Sequence, residues 1–301
     1  MLSWEMGRHP LFFPYLALIA VCFFWGTTYL GIRLALEGFP PLVLISGRFL
    51  IAGSIMLAFA WWKKSKFPEG RALWLTSFYG VMILGVANGA LTFAEQWIPS
   101  SLAALITTMS PLVLVSMEHF SGGERIHKRT LTGLLVGLSG TILLVLPRGG
   151  AGAFDGGSIW KGFLVLCVGN IFWNSGAILQ RRQRLATHPM VSGAIQNFAS
   201  GVVFLPLALL VPQPPIIWKL DSTLAVVYLI IFGSIVGFSS YIYALERLPV
   251  SVLSIYNYVN PAVAAVLGVW FYDEPVGWRE IAAMVVIFAG IAIVRSAKKP
   301  G

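Results

Sequence analysis

At 301 residues, 57% hydrophobic and only 11% charged, the chain holds less than half the roughly 25% charged residues of an ordinary globular protein. With a mean hydropathy of +0.80, a water-soluble enzyme of this size is all but excluded, and the apolar surplus calls for a lipid solvent. The net charge of +9 is spread so that no Lys/Arg run exceeds three residues, which argues against a nucleic-acid face.

Stretches of about 20 mainly apolar residues occur ten times, over 14–36, 42–62, 72–94, 100–120, 130–146, 159–180, 190–211, 224–244, 249–271 and 278–295. Span one is preceded by a single Arg and is far longer than a signal-peptide core, so no cleavable leader is expected. Cys22 falls in span one and Cys167 in span six, and a disulfide framework is not expected. Linker composition appears only at 147–158 and 212–223, and no separate soluble domain is indicated. With the N-terminus inside, fifteen Lys/Arg fall on the inner side and five on the outer, leaving Arg48 within span two. The positive-inside rule then places both termini in the cytoplasm.

The second half repeats the first. At a shift of 150, Pro99 meets Pro249, Ser101 meets Ser251, Pro111 meets Pro261, Glu124 meets Glu274 and Gly140 meets Gly290. At 148, the Phe24-Trp25 pair meets Phe172-Trp173. Each copy, 1–150 and 151–301, holds five spans. An odd number forces the second copy to enter from the opposite side, giving an inverted repeat of the kind found in carriers. The fold class expected is all-α and polytopic, with ten transmembrane helices as two inverted five-helix repeats around a central cavity.

Three elements carry a family resemblance: "FFWG" in span one, "ALERLPVS" over 244–251, and the Ser-Pro and Asn-Pro pairs at 110–111 and 260–261. "DEP" at 273–275 adds to them. The chain resembles the EamA-type transporters of the drug/metabolite transporter superfamily, and looks most similar to the bacterial aromatic amino-acid exporters. The resemblance implies a multi-pass carrier of the bacterial inner membrane that exports amino acids and related small metabolites. Relatives in eukaryotic organelles exchange nucleotide sugars or sugar phosphates.

Of eleven tryptophans, Trp25 and Trp173 alone lie near mid-span, and they are repeat mates; the others sit at or beyond span ends, as an aromatic belt would. Trp25 shares a helical face with Thr28 and Tyr29, and Trp173 with Asn170 and Asn174. Side-chain amides in hydrocarbon need partners, so both faces should point inward. Asn88 in span three, Tyr241 in span eight, and Tyr256, Asn257 and Asn260 in span nine complete a substrate-binding cavity made by spans one, three, four, six, eight and nine. Spans two, five, seven and ten should be peripheral. Pro111 and Pro261 are candidate hinges, because each removes a helix bond at membrane depth. For Arg48, snorkelling to the interface and substrate binding both remain open.

No Asp or Glu falls near mid-span, and Glu95 is placed close to the surface. Transport down the substrate gradient without an obligatory ion is therefore expected. No metal cluster and no HExxH, Walker A or GxSxG motif appears, so neither cofactor nor metal is expected. A lipid-modifying membrane enzyme lacks its acid, base or metal set here. A sugar-phosphate exchanger would need more cavity cations than Arg48 alone.

Overall fold

The computed structural model describes residues 11–110, 112–113, 116–117, 128–145, 156–183, 187–248, 250–253, 255–274 and 277–297. Among these residues there is no strand. The helices are α1 (Phe12–Leu36), α2 (Pro41–Trp62), α3 (Gly70–Ala94), α4 (Ser100–Thr107), α5 (Lys128–Val145), α6 (Gly156–Gln183), α7 (Pro189–Leu210), α8 (Leu220–Arg247), α9 (Tyr256–Tyr272) and α10 (Trp278–Ala297), with one short turn of helix, Val250–Leu253, before α9. Six of them, α1, α2, α3, α6, α7 and α8, are long and apolar enough to cross a membrane. Leu131–Gly140 and Val259–Tyr272 are shorter apolar stretches.

Proline sets several helix starts. Pro41 and Pro189 occupy the first turns of α2 and α7, where a missing N–H costs nothing and the fixed φ already suits a helix. Pro99 stands at the N-cap of α4. Asp273 ends α9 in the left-handed conformation, with φ 47°, which Asp tolerates better than bulkier residues. The outer face of the molecule is apolar, and Trp61, Trp62, Trp74, Trp218, Trp270 and Trp278 lie exposed at helix ends. That arrangement matches a belt at the two interfaces.

Packing follows the repeat. The most extensive contacts are α2 along α7 and α5 along α10, each a pair of helices occupying matching places in the two halves. The other contacts come in matched sets: α1 packs on α8 and α9, while α6 packs on α3 and α4. Glycines line both crossings of matching helices. A Cβ on Gly53 would lie 2.4 Å from the Phe198 backbone nitrogen, and one on its mate Gly201, 148 residues on, 2.5 Å from that of Leu50. Gly140 and Gly290 play the same part between α5 and α10. Small residues let helix backbones approach closely where lipid offers no hydrophobic drive.

A second correspondence is conformational. Residues Val81–Asn88 of α3 and Leu229–Gly237 of α8 both run as wider π-type turns, again 148 residues apart. Such widened turns concentrate at functional sites.

Pro111 lies outside the described residues. Pro261 sits inside α9, and Ile255 forms a turn just before α9 begins.

The α2–α7 crossing yields a prediction. Gly53→Val or Gly201→Val should lower stability by about 1–3 kcal/mol through overpacking. Gly47→Ala, with nothing within 4 Å of the added Cβ, should leave stability unchanged or raise it by up to about 1 kcal/mol. Thermal unfolding of the detergent-purified variants measures both.

Candidate functional site

Residues from α1, α2, α3, α4, α6, α8 and α9 surround one cavity of about 770 Å³, counting the part that opens to solvent. Trp25 and Trp173 meet inside it edge to face, with ring centroids 5.4 Å apart. The Trp25 indole Nε1 donates to the Gly233 carbonyl at 3.1 Å. That approach requires glycine at 237, where a Cβ would fall 2.7 Å from the same indole nitrogen.

Eight of the ten side chains singled out from sequence line this cavity: Trp25, Tyr29, Asn88, Asn170, Trp173, Tyr256, Asn257 and Asn260. The other two do not. Tyr241 stands behind the wall, 2% exposed, with its ring 5.0 Å from Trp25, 5.4 Å from Trp173 and 6.0 Å from Tyr256. Asn174 is engaged in joining elements: its Nδ2 donates to the Asn170 carbonyl at 2.7 Å and its Oδ1 accepts from Ser110 at 2.9 Å. Both positions are on the expected helical face, but their side chains serve the partition between helices.

Several lining residues also carry the packing. The Tyr29 hydroxyl is 2.8 Å from that of Thr107, tying α1 to α4. The Asn260 amide, turned with its nitrogen toward the Tyr256 and Cys22 carbonyls, lies 3.1 Å from each and joins α9 to α1.

Sequence alone left Arg48 undecided, and the structure removes it from the interface. It is 4% exposed and lines the cavity. Its Nε donates to Ser234 Oγ at 2.8 Å, and its Nη1 reaches Asn88 Oδ1 at 3.4 Å. Helix α2 is therefore not wholly peripheral. Glu95, placed near the surface by its position after span three, is also buried at 5% exposure. Among the described residues, neither of its carboxyl oxygens has a hydrogen-bond partner.

Outside the cavity lining, Glu274 ties three elements together. Its Oε1 accepts from Arg33 Nη1 at 3.0 Å, from the Ser100 N–H at 2.9 Å and from Ser100 Oγ at 2.7 Å; its Oε2 accepts from the Ser101 N–H at 3.0 Å. The carboxylate thus caps the N-terminus of α4, where free N–H groups and the helix dipole favour negative charge. Arg33 also stacks on Tyr272, 4.6 Å from the ring centroid. This knot joins α1, α4 and the turn after α9. The chain offered a hint of it: Glu274 stands in the motif "DEP", but its partners lie 241 and 174 residues away.

The sequence profile of the EamA-like transporter family matches residues 12–146 and again 160–296. A relative from Escherichia coli strain K12 named "Uncharacterized inner membrane transporter YedA" is 34% identical, over 94% of this chain and 90% of its own length. Protein PecM of Dickeya dadantii is 26% identical, over 90% of this chain and 88% of its own. A solved crystal structure superposes with a TM-score of 0.66 at 23% identity, covering 95% of this chain and 99% of that one; at that identity the likeness shows the fold. Two profile matches in tandem, over an all-helical chain with a lined cavity between its halves, settle the family: the chain belongs to the EamA-like transporters.

Proposed function

We propose that this transporter is a secondary carrier of the bacterial inner membrane that exports amino acids, aromatic ones included, and similar small metabolites by alternating access. In this reading residues 1–150 and 151–301 are inverted five-helix repeats that rock about the cavity, and both termini are cytoplasmic. The observation that carries it is the meeting of Trp25 and Trp173, repeat mates on α1 and α6, within a cavity whose lining combines apolar side chains with amides, hydroxyls and Arg48. An apolar wall with a few convergent polar groups is the usual form of a small-molecule site. Tryptophan also presents a face to an ammonium, worth ~0.5–2 kcal/mol. Neutral amides at Asn88, Asn170, Asn257 and Asn260 can donate and accept, which suits a zwitterion and discriminates little among side chains.

The orientation drawn from Lys/Arg counts sets the Glu274 knot toward the outside. The knot then supports a cavity closed on its outer side, as one state of an alternating carrier requires. Exchange of labelled amino acids by proteoliposomes, with and without a pH gradient, tests the reading. Absence of exchange for every amino acid offered, from protein that is folded and inserted, would reject it.

Trp25→Ala and Trp173→Ala should each cut export several-fold, since losing one contact costs on the order of 1 kcal/mol. Trp61→Ala and Trp218→Ala, exposed in the belt, should leave it unchanged. Equal export by all four at matched membrane abundance would remove the cavity assignment.

Pro261→Ala restores an N–H inside α9. If the proline is a hinge, turnover should fall while the unfolding temperature holds or rises. Unchanged turnover, measured by the same exchange assay, identifies a static bend instead.

A further inference from the structure

We infer that Arg48 is the binding site for a free carboxylate on the transported molecule, so that the substrates are apolar or aromatic monocarboxylates. The inference rests on the carrier reading above and narrows its substrate class.

A guanidinium stays protonated at any physiological pH and presents five N–H donors. Burying such a charge is costly unless it is paired. Among the described residues, the two hydrogen bonds that Arg48 makes both go to neutral acceptors, Ser234 Oγ and Asn88 Oδ1. That leaves three of the five donors over. Glu95 acts on Arg48 electrostatically, yet neither Glu95 oxygen accepts a hydrogen bond, so no bonded pair joins the two. The guanidinium therefore faces a cavity with no carboxylate hydrogen-bonded to it among the described residues. A ligand carboxylate fills that role in the bidentate geometry that arginine favours.

Its setting is built. Gly233 lies under the guanidinium, and a Cβ there would stand 2.7 Å from Arg48 Nη2. Ser234 fixes Nε from α8, while Asn88 fixes Nη1 from α3. With its Oδ1 turned to Arg48, Asn88 keeps its amide N–H groups as further donors. Trp25 and Trp173 line the same cavity and supply an apolar wall for the rest of the ligand.

The repeat shows that this charge is specific to one half. The counterpart of Arg48 at the 148-residue shift is Gln196, a buried amide that donates to Gln180 Oε1 at 3.1 Å and Ser192 Oγ at 2.9 Å. A structural requirement common to both crossings would not put a cation in one copy and an amide in the other. A single cation also matches a single carboxylate. A phosphate dianion would leave excess charge in a low-dielectric cavity.

The test is a ligand series read by thermal shift on the detergent-purified full chain. L-Phenylalanine, 3-phenylpropionate and L-leucine carry the carboxylate; L-phenylalaninamide and phenethylamine keep the ring and lack it. The three acids should raise the unfolding temperature, and the amide and amine should bind at least tenfold more weakly. Arg48→Gln should weaken the acids by tenfold to a hundredfold and erase the preference. Arg48→Lys, which keeps the charge and loses the fork, should fall between. If Arg48→Gln does not fold, the series on the wild-type protein and on Arg48→Lys decides. Amide and amine binding as tightly as the acids, no acid binding at all, or an unchanged preference in Arg48→Gln would overturn the inference. Acids that bind but are not exchanged by proteoliposomes would instead reject the carrier reading and leave the carboxylate site standing.

Discussion

Hydrocarbon offers no hydrogen bonds, and that constraint orders this molecule. Each unsatisfied polar group at membrane depth costs several kcal/mol, so the amides and hydroxyls of the spans are drawn inward. They meet there in two ways. Some close on one another and hold helices together, as Asn174 does with Ser110 and Tyr29 with Thr107. Others are left facing a cavity, and a cavity lined by them is what a polar solute needs to enter an apolar protein. The same side chains thus serve as helix glue and as candidate binding groups, which is why sequence alone could not sort Asn170 from Asn174.

The repeat solves a related problem. Without a hydrophobic drive between helices, association depends on close contact, and the most extensive contacts fall where helices from matching places cross. Gly53 with Gly201, and Gly140 with Gly290, are the same glycines used twice. These tight pairs, α2 with α7 and α5 with α10, lie away from most of the cavity lining. The cavity-lining helices also meet through rings and amides. Both seams join one half to the other, so the halves are held together away from most of the cavity lining.

Much of this was legible because two periodicities agree. The 148–150-residue repeat picked out Trp25 and Trp173, and the 3.6-residue period put polar residues on their faces; the structure brings eight of ten named side chains to one cavity. What periodicity cannot give is depth along a long side chain. Arg48 on the helix surface can reach either up to the interface or across to Ser234, and only the position of α8 decides. Glu95 was misplaced for the same reason: lying near a span end is not lying in water when other elements cover that end. The widened turns at Val81–Asn88 and Leu229–Gly237 leave no mark in composition. Tyr241 illustrates the remaining error, since one helical face is broad enough to hold a cavity residue and the one behind it.

For the carrier proposed above, the Glu274 knot offers a way to close firmly and still open. A buried ion pair gains little net stability, because desolvation offsets most of the Coulombic attraction. Removing one partner is expensive, but separating intact partners into water is not, since each recovers its hydration. Glu274 is buried while Arg33 is one-fifth exposed, so the pair sits where water can enter as the helices part. Its remaining acceptors take the N–H groups of Ser100 and Ser101, the first turn of α4, and those donors can be satisfied by water as well as by a carboxylate. An apolar plug of equal area would lack this property. Parting it would expose hydrocarbon at about 25 cal/mol per Å² with nothing to compensate. A polar knot of this kind therefore combines firm closure with a low cost of opening, and that combination is what the proposed alternating access demands of a gate.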